Sequence, residues 1–222
     1  MQQLPLPIAA EPARSFASFF AGANALALDC LQRLQPGAPP VYLWGPAGSG
    51  KSHLLRALAD ERREHGADVG WFDGWSALPW RFDAAWRLLV LDGCEAFDPP
   101  RQQDAFALFV EATAHGVPVG ASGRLPPVDL PLRDDLRTRL GWGQVIALRP
   151  LADAQARAAL AHDAERRGIA LPDEVLAYLM THCARDLKSL MALLDRLDRF
   201  ALGRQRGVTL PLLRLMLAEE AA

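Results

Sequence analysis

The stretch Gly45-Pro46-Ala47-Gly48-Ser49-Gly50-Lys51-Ser52 constrains this chain more than any other. It has the form G-x-x-x-x-G-K-[ST], and it sits between an apolar run, Val41-Tyr42-Leu43-Trp44, and a helical pattern that starts at His53. Strand, loop and helix in that order are the setting in which such a loop cradles phosphate. The glycines let backbone N–H groups converge on a polyphosphate with no Cβ in the way. Lys51 offers a point charge to the outer phosphates and Ser52 a hydroxyl to a magnesium ion. The helix opened there turns the positive end of its dipole toward the anion. All eight residues are candidate nucleotide-binding positions, and a nucleoside di- or triphosphate with Mg²⁺ is the implied ligand.

A second apolar run, Leu88-Leu89-Val90-Leu91, ends at Asp92. Four consecutive apolar residues suit a parallel strand buried on both faces. A carboxylate at its C-terminal end lies where open α/β sheets place ligands. Asp92 is therefore the candidate that orients the Mg²⁺ shell beside Ser52.

The pattern around these two strands predicts an α/β fold with a five-stranded parallel sheet. Val69–Phe72, Val117–Ala121 and Val145–Leu148 supply the other strands. Helices are expected over residues 24–34, with Asn24 as the cap, from the loop to about Glu64, over Gln103–His115 and over Arg133–Leu140. From Pro150 onward four helical patterns run without strands, at residues 153–167, 172–183, 186–202 and 209–219. The expected organisation is an extended segment at 1–10, an α/β core at 11–149 and a small all-α domain at 150–222. Pro5 and Pro7 forbid a helix at the start and leave Leu4 and Leu6 projecting from an extended strip. Trp75, Trp80, Phe82 and Trp86 crowd the segment after the second strand, and packing beneath a loop is the expectation for them.

The 222 residues carry a net charge of −2, which argues against duplex DNA as the main ligand, since that affinity needs clustered Lys and Arg. Cys30, Cys94 and Cys183 lie far apart with no C-x-x-C, so neither a zinc site nor a disulfide framework is expected. No signal-peptide pattern and no apolar run of about 18 residues is present, which points to a cytoplasmic protein without a membrane partner.

The chain resembles the AAA+ family of P-loop NTPases, and within it the DnaA-related proteins, the Hda-type regulators of DnaA most of all. The resemblance covers nearly the whole length. It is carried by Phe16-Ala17-Ser18-Phe19-Phe20 with Asn24, the phosphate loop, Leu88–Asp92, the run Leu136-Arg137-Thr138-Arg139-Leu140-Gly141-Trp142-Gly143-Gln144, Arg185-Asp186-Leu187, and Gln3-Leu4-Pro5-Leu6-Pro7. It implies an AAA+ core followed by a helical lid. It implies that Arg139 is an arginine finger acting in trans on a neighbour's nucleotide, and that Arg185 touches the phosphates of its own. It implies that Gln3, Leu4, Pro5, Leu6 and Pro7 dock on the DNA polymerase sliding clamp, and that DnaA is the other partner. Together these describe a regulator that stimulates hydrolysis of DnaA-bound ATP and so prevents re-initiation of chromosome replication. A homodimer is compatible with the same finger. From the residues alone, Arg139 beside Asp134 and Asp135 reads as a locally paired arginine.

Two positions depart from the family pattern. The acid that usually follows the strand-ending Asp is Gly93 here, and Glu95 is expected to face elsewhere. The first-sensor position falls on Gly123, with Ser122 as the nearest substitute. These departures predict a chain that binds nucleotide, ADP foremost or else ATP, and hydrolyses it weakly. The chain also runs only to the end of the lid, where DnaA continues into a helix-turn-helix domain. The alternative reading is a self-sufficient AAA+ ATPase such as a helicase loader or a transposition accessory protein. A relative that keeps the fold without the chemistry is a third.

Overall fold

The computed structural model describes residues 15–182 and 187–220. These divide after Pro150 into two compact units. The first is a three-layer α/β unit. In chain order it contains α1 (Ala25–Gln32), β1 (Val41–Trp44), α2 (Lys51–Glu64), β2 (Asp68–Asp73), β3 (Trp86–Asp92), α3 (Pro99–Ala114), β4 (Val119–Gly123), α4 (Asp134–Leu140) and β5 (Gln144–Ala147). All five strands are parallel, in the order β2-β3-β4-β1-β5. Register matches Asp73 to Asp92, and Trp44 to both Gly123 and Ala147. The strands therefore end along one edge, where a parallel sheet places its ligand.

Alternation along β3 shows why the sheet is buried on both sides. Leu88 and Val90 join Leu31, Leu43, Leu54, Leu55 and Leu58 in the layer formed with α1 and α2. Leu89 and Leu91 join Tyr42, Leu108, Phe109, Leu136 and Leu140 in the layer formed with α3 and α4. Residues 88–91 are all 0% exposed, so the period-two strand feeds two cores at once.

Several local expectations shift. Asn24 does not cap α1. Its side chain is buried and instead accepts from Arg149 N at 2.8 Å and donates to Arg149 O at 2.9 Å, tying the start of α1 to the chain after β5. The third helix begins four residues early, because Asp98 accepts from Arg101 N at 3.0 Å and Pro99 occupies the first turn, where its fixed φ is already helical. The fourth strand starts late. Val117 N is spent on Ala112 O at 2.8 Å, closing the end of α3 over Gly116 at φ +69°. Pro118 has no N–H to give the ladder, though its carbonyl accepts from Leu89 N at 3.0 Å. Trp80 is buried against Phe72 and Phe97 as expected, whereas Trp75 is 94% exposed.

The second unit holds α5 (Asp153–Arg166), α6 (Asp173–His182), α7 (Leu187–Gly203) and α8 (Leu210–Glu220). Its own core is built from Leu160, Val175, Leu176, Leu179, Leu190, Leu194, Leu197 and Leu213. Among the described residues no helix is long and apolar enough to cross a membrane.

Candidate functional site

The phosphate loop leaves β1 at Trp44 and enters α2 at Lys51. Gly45 N donates to Gly123 O at 3.3 Å, and Leu148 N donates to Trp44 O at 2.6 Å, so the loop's root is pinned between β4 and β5. Gly50 is left-handed at φ +98°, and a Cβ there would lie 2.6 Å from the Phe19 ring. That ring belongs to the N-terminal segment and stands 5.7 Å, centroid to centroid, from His53 on the first turn of α2. Ser15 O and Ser18 Oγ also lie 3.3 Å from His53 Nε2. Residues 15–19 thus press against the loop from outside, a contact that no local sequence pattern signals.

Lys51 is nearly buried. Its Nζ donates to Gly45 O at 2.7 Å, to Pro46 O at 2.8 Å and to Ser49 Oγ at 3.4 Å. Burial pulls its proton affinity below the usual lysine range, and the negative charges of Glu95 and Asp92 oppose that pull. Ser52 Oγ donates to Asp92 Oδ1 at 3.0 Å, and Ser122 Oγ donates to the same oxygen at 2.6 Å. Ser122 is fully buried and also accepts from Gly93 N at 2.9 Å. Ser122 therefore aims Asp92, a bridging role the sequence did not reveal.

These groups fit a nucleotide with its magnesium ion. Gly50 is left-handed and has no side chain to cap α2, whose first-turn N–H groups lack intrahelical acceptors and suit an anion. Ser52 and Asp92 offer one hydroxyl and one carboxylate oxygen, a hard-oxygen set that suits Mg²⁺ once phosphate and water complete the shell. Among the described residues no group of three or more His, Cys, Asp or Glu side chains could hold a metal unaided.

Gly93 is left-handed, at φ +70° and ψ +49°. A glutamate in its place would be strained as well as redirected. Glu95 is not turned away from the site as expected. The reversal at Gly93 and the short 3₁₀ turn Cys94–Ala96 return it to the strand edge. There its carboxylate accepts from Arg124 N at 3.2 Å and pairs with Arg124 Nε at 3.1 Å. Gly123 has no room for a side chain, because a Cβ there would meet Tyr42 Oη at 1.9 Å.

Arg139 lies on α4 with its guanidinium over the Trp142 ring, 5.0 Å from the centroid. It is not the locally paired arginine that its neighbours suggest. Asp134 pairs with Arg137 at 2.6 Å and Asp135 with Arg133 at 2.7 Å. Among the described residues Arg139 makes no ion pair. Arg139, Trp142, Phe106 and Thr138 line an open cavity of about 450 Å³ together with Asp134 and Asp135. Arg185 and the segment Gln3, Leu4, Pro5, Leu6 and Pro7 lie outside the described residues, as does Cys183.

Residues 153–217 match the family model of the Hda lid domain. Among solved structures, domain III of the DnaA replication initiation protein from Thermotoga maritima superposes with a TM-score of 0.76 at 20% identity, over 94% of this chain and 97% of that one. AMPPCP-bound DnaA from Aquifex aeolicus superposes with a TM-score of 0.70 at 18% identity, over 88% of this chain and 68% of that one. The RuvB Holliday junction branch migration motor of Thermotoga maritima reaches 0.60 at 17% identity, over 87% of this chain and 66% of that one. The fold is that of an AAA+ α/β core followed by a helical domain that matches the Hda lid.

Proposed function

We propose that this DnaA-related AAA+ chain with an Hda-type lid is a regulator of DnaA, which keeps a nucleotide of its own as a structural ligand and lends Arg139 to a partner's. The observation that carries this reading is the pairing of an intact loop with two closed catalytic positions. Gly45–Ser52, with Lys51 for the phosphates and Ser52 and Asp92 for Mg²⁺, keep the residue types with which such a loop grips phosphate. Gly93 and Gly123 occupy the positions where a hydrolytic acid and a polar sensor would stand, and the backbone angle at one and Tyr42 at the other oppose a side chain. Such a site holds ADP or ATP and turns it over slowly.

Arg139 has the complementary property. Its guanidinium rests on a neutral ring and is half-exposed on α4, beside an open cavity. A guanidinium moved from there against another subunit's terminal phosphate stabilises charge in the transition state, an effect that reaches about 10³–10⁵ in rate in other phosphoryl-transfer systems. Bound Mg²⁺ supplies charge neutralisation at the phosphate oxygens in both sites. The N-terminal strip, with Gln3, Leu4, Pro5, Leu6 and Pro7, fits this role as an extended peptide that docks on the sliding clamp.

The test is the half-life of ATP on DnaA in the presence of clamp, DNA and this chain. The parent chain is expected to shorten it, and Arg139→Ala to lose most of that effect. A variant as active as the parent overturns the assignment of Arg139. Pull-down on clamp with Leu4→Ala and Leu6→Ala tests the docking strip in the same samples, with loss of capture expected. One observation favours a second reading, a self-sufficient ATPase: Glu95 accepts from Arg124 N at the end of β4, on the edge where the loop is rooted. Brisk phosphate release by the chain alone, abolished by Lys51→Ala, points to that reading instead.

A further inference from the structure

Around the phosphate loop, the charged side chains Lys51, Asp92, Glu95 and Arg124 meet at the edge of the sheet, and only the first two are accounted for by the loop and its metal ion. Arg124 follows β4 directly. Its neighbour Gly123 accepts the hydrogen bond from Gly45 N, so Arg124 is one residue from the carbonyl that anchors the root of the phosphate loop. Its side chain is 67% exposed and is held by Glu95, which is 24% exposed, accepts from the Arg124 backbone N–H and forms an ion pair with its guanidinium. Glu95 and Arg124 act on Lys51 in opposite directions, the carboxylate favouring its positive charge and the guanidinium opposing it. An anion within reach of Lys51 feels the reverse: Glu95 repels it and Arg124 attracts it.

We propose that Glu95 and Arg124 set the choice between a nucleoside di- and triphosphate at the loop: Arg124 is the ligand for a terminal phosphate, and Glu95 is the carboxylate that holds it until that phosphate arrives. The inference rests on the reading of Gly45–Ser52 as a nucleotide site. A diphosphate leaves the pair intact. A third phosphate adds negative charge beside Glu95 and offers the guanidinium a two-pronged partner of higher charge than a carboxylate. The exchange is easy, because an ion pair this exposed binds its members weakly. Arg124 then crosses from Glu95 to the phosphate, and the chain registers which nucleotide it carries.

The experiment measures the affinities of ADP and of the non-hydrolysable triphosphate AMPPCP, each with Mg²⁺, by competition with a fluorescent nucleotide. The full chain is compared with Glu95→Gln and Arg124→Gln. The quantity read is the ratio of the two dissociation constants within one preparation, which a partly folded variant still reports. Glu95→Gln frees the guanidinium and is expected to move the ratio toward the triphosphate by about tenfold, the scale of one hydrogen bond to a charged group. Arg124→Gln removes the ligand, leaves Glu95 uncompensated, and is expected to move the ratio a similar distance toward ADP. A pair that merely braces the turn lowers both affinities together. An unchanged ratio in both variants, or shifts of the same sign, therefore overturns the proposal while leaving the nucleotide site in place. A parent chain that retains neither nucleotide removes the reading on which the proposal rests.

Discussion

At the scale of single residues, the departure at Gly123 has a cause elsewhere in the chain. Tyr42 is 1% exposed on β1, and its hydroxyl donates to Leu125 O at 2.9 Å, crossing the space a side chain at Gly123 would fill. Gly123→Ala is expected to destabilise by about 1–3 kcal/mol, the usual cost of over-packing a tight interior. Tyr42→Phe alone is expected to cost roughly 1 kcal/mol for the lost hydrogen bond. Because the two share one volume, the double variant is expected to lose less than the sum. Urea unfolding of the four proteins measures this, and strict additivity would show that the clash is relieved some other way. One substitution at Gly123 therefore cannot restore a polar sensor, since Tyr42 must change with it. Nothing in the sequence linked the two positions, because the contact depends on the β1–β4 register across 81 residues.

At the scale of elements, α3 rests on a cap that its own composition disguises. Asp98 takes the N–H of Arg101 at 3.0 Å and also its guanidinium at 2.6 Å. Asp98→Ala is expected to lower stability by about 1–2 kcal/mol, and Asp98→Asn by less, since an amide oxygen still caps. The midpoint of chemical unfolding checks both, and equal losses would place the effect in the ion pair instead. Pro99 and Pro100 lie ahead of the start expected at Gln103, although a proline in the first helical turn gives up no hydrogen bond. The elements that were legible are those whose pattern suffices alone, such as the unbroken apolar run of β3 and the fixed spacing of the phosphate loop. The parts of the site that were hidden depend on direction. Glu95 returns to the site only because Gly93 reverses the backbone. Asp92 points where it does because Ser122, a strand away, holds one of its oxygens.

At the scale of the whole molecule, two units with separate cores share one chain, and the ligand site described lies in the first. If that site takes ADP, saturation stabilises the folded state by mass action. ADP at a hundred times its dissociation constant adds about 2.7 kcal/mol, and this is expected to raise the melting temperature by about 5–10 °C for a chain of this size. Lys51→Ala is expected to abolish the rise, and a rise that survives it would place the nucleotide elsewhere. A different rule governs α4 in the same unit, where a cation lies across an indole. A guanidinium that rests on a carboxylate leaves an orphaned negative charge when it departs, and that charge pulls it home. Trp142 holds Arg139 by a cation–π attraction and is left neutral when it departs. If Arg139 is the finger proposed above, an anion that meets it borrows it and hands it back unaltered, which would suit one copy to serve many clients in succession.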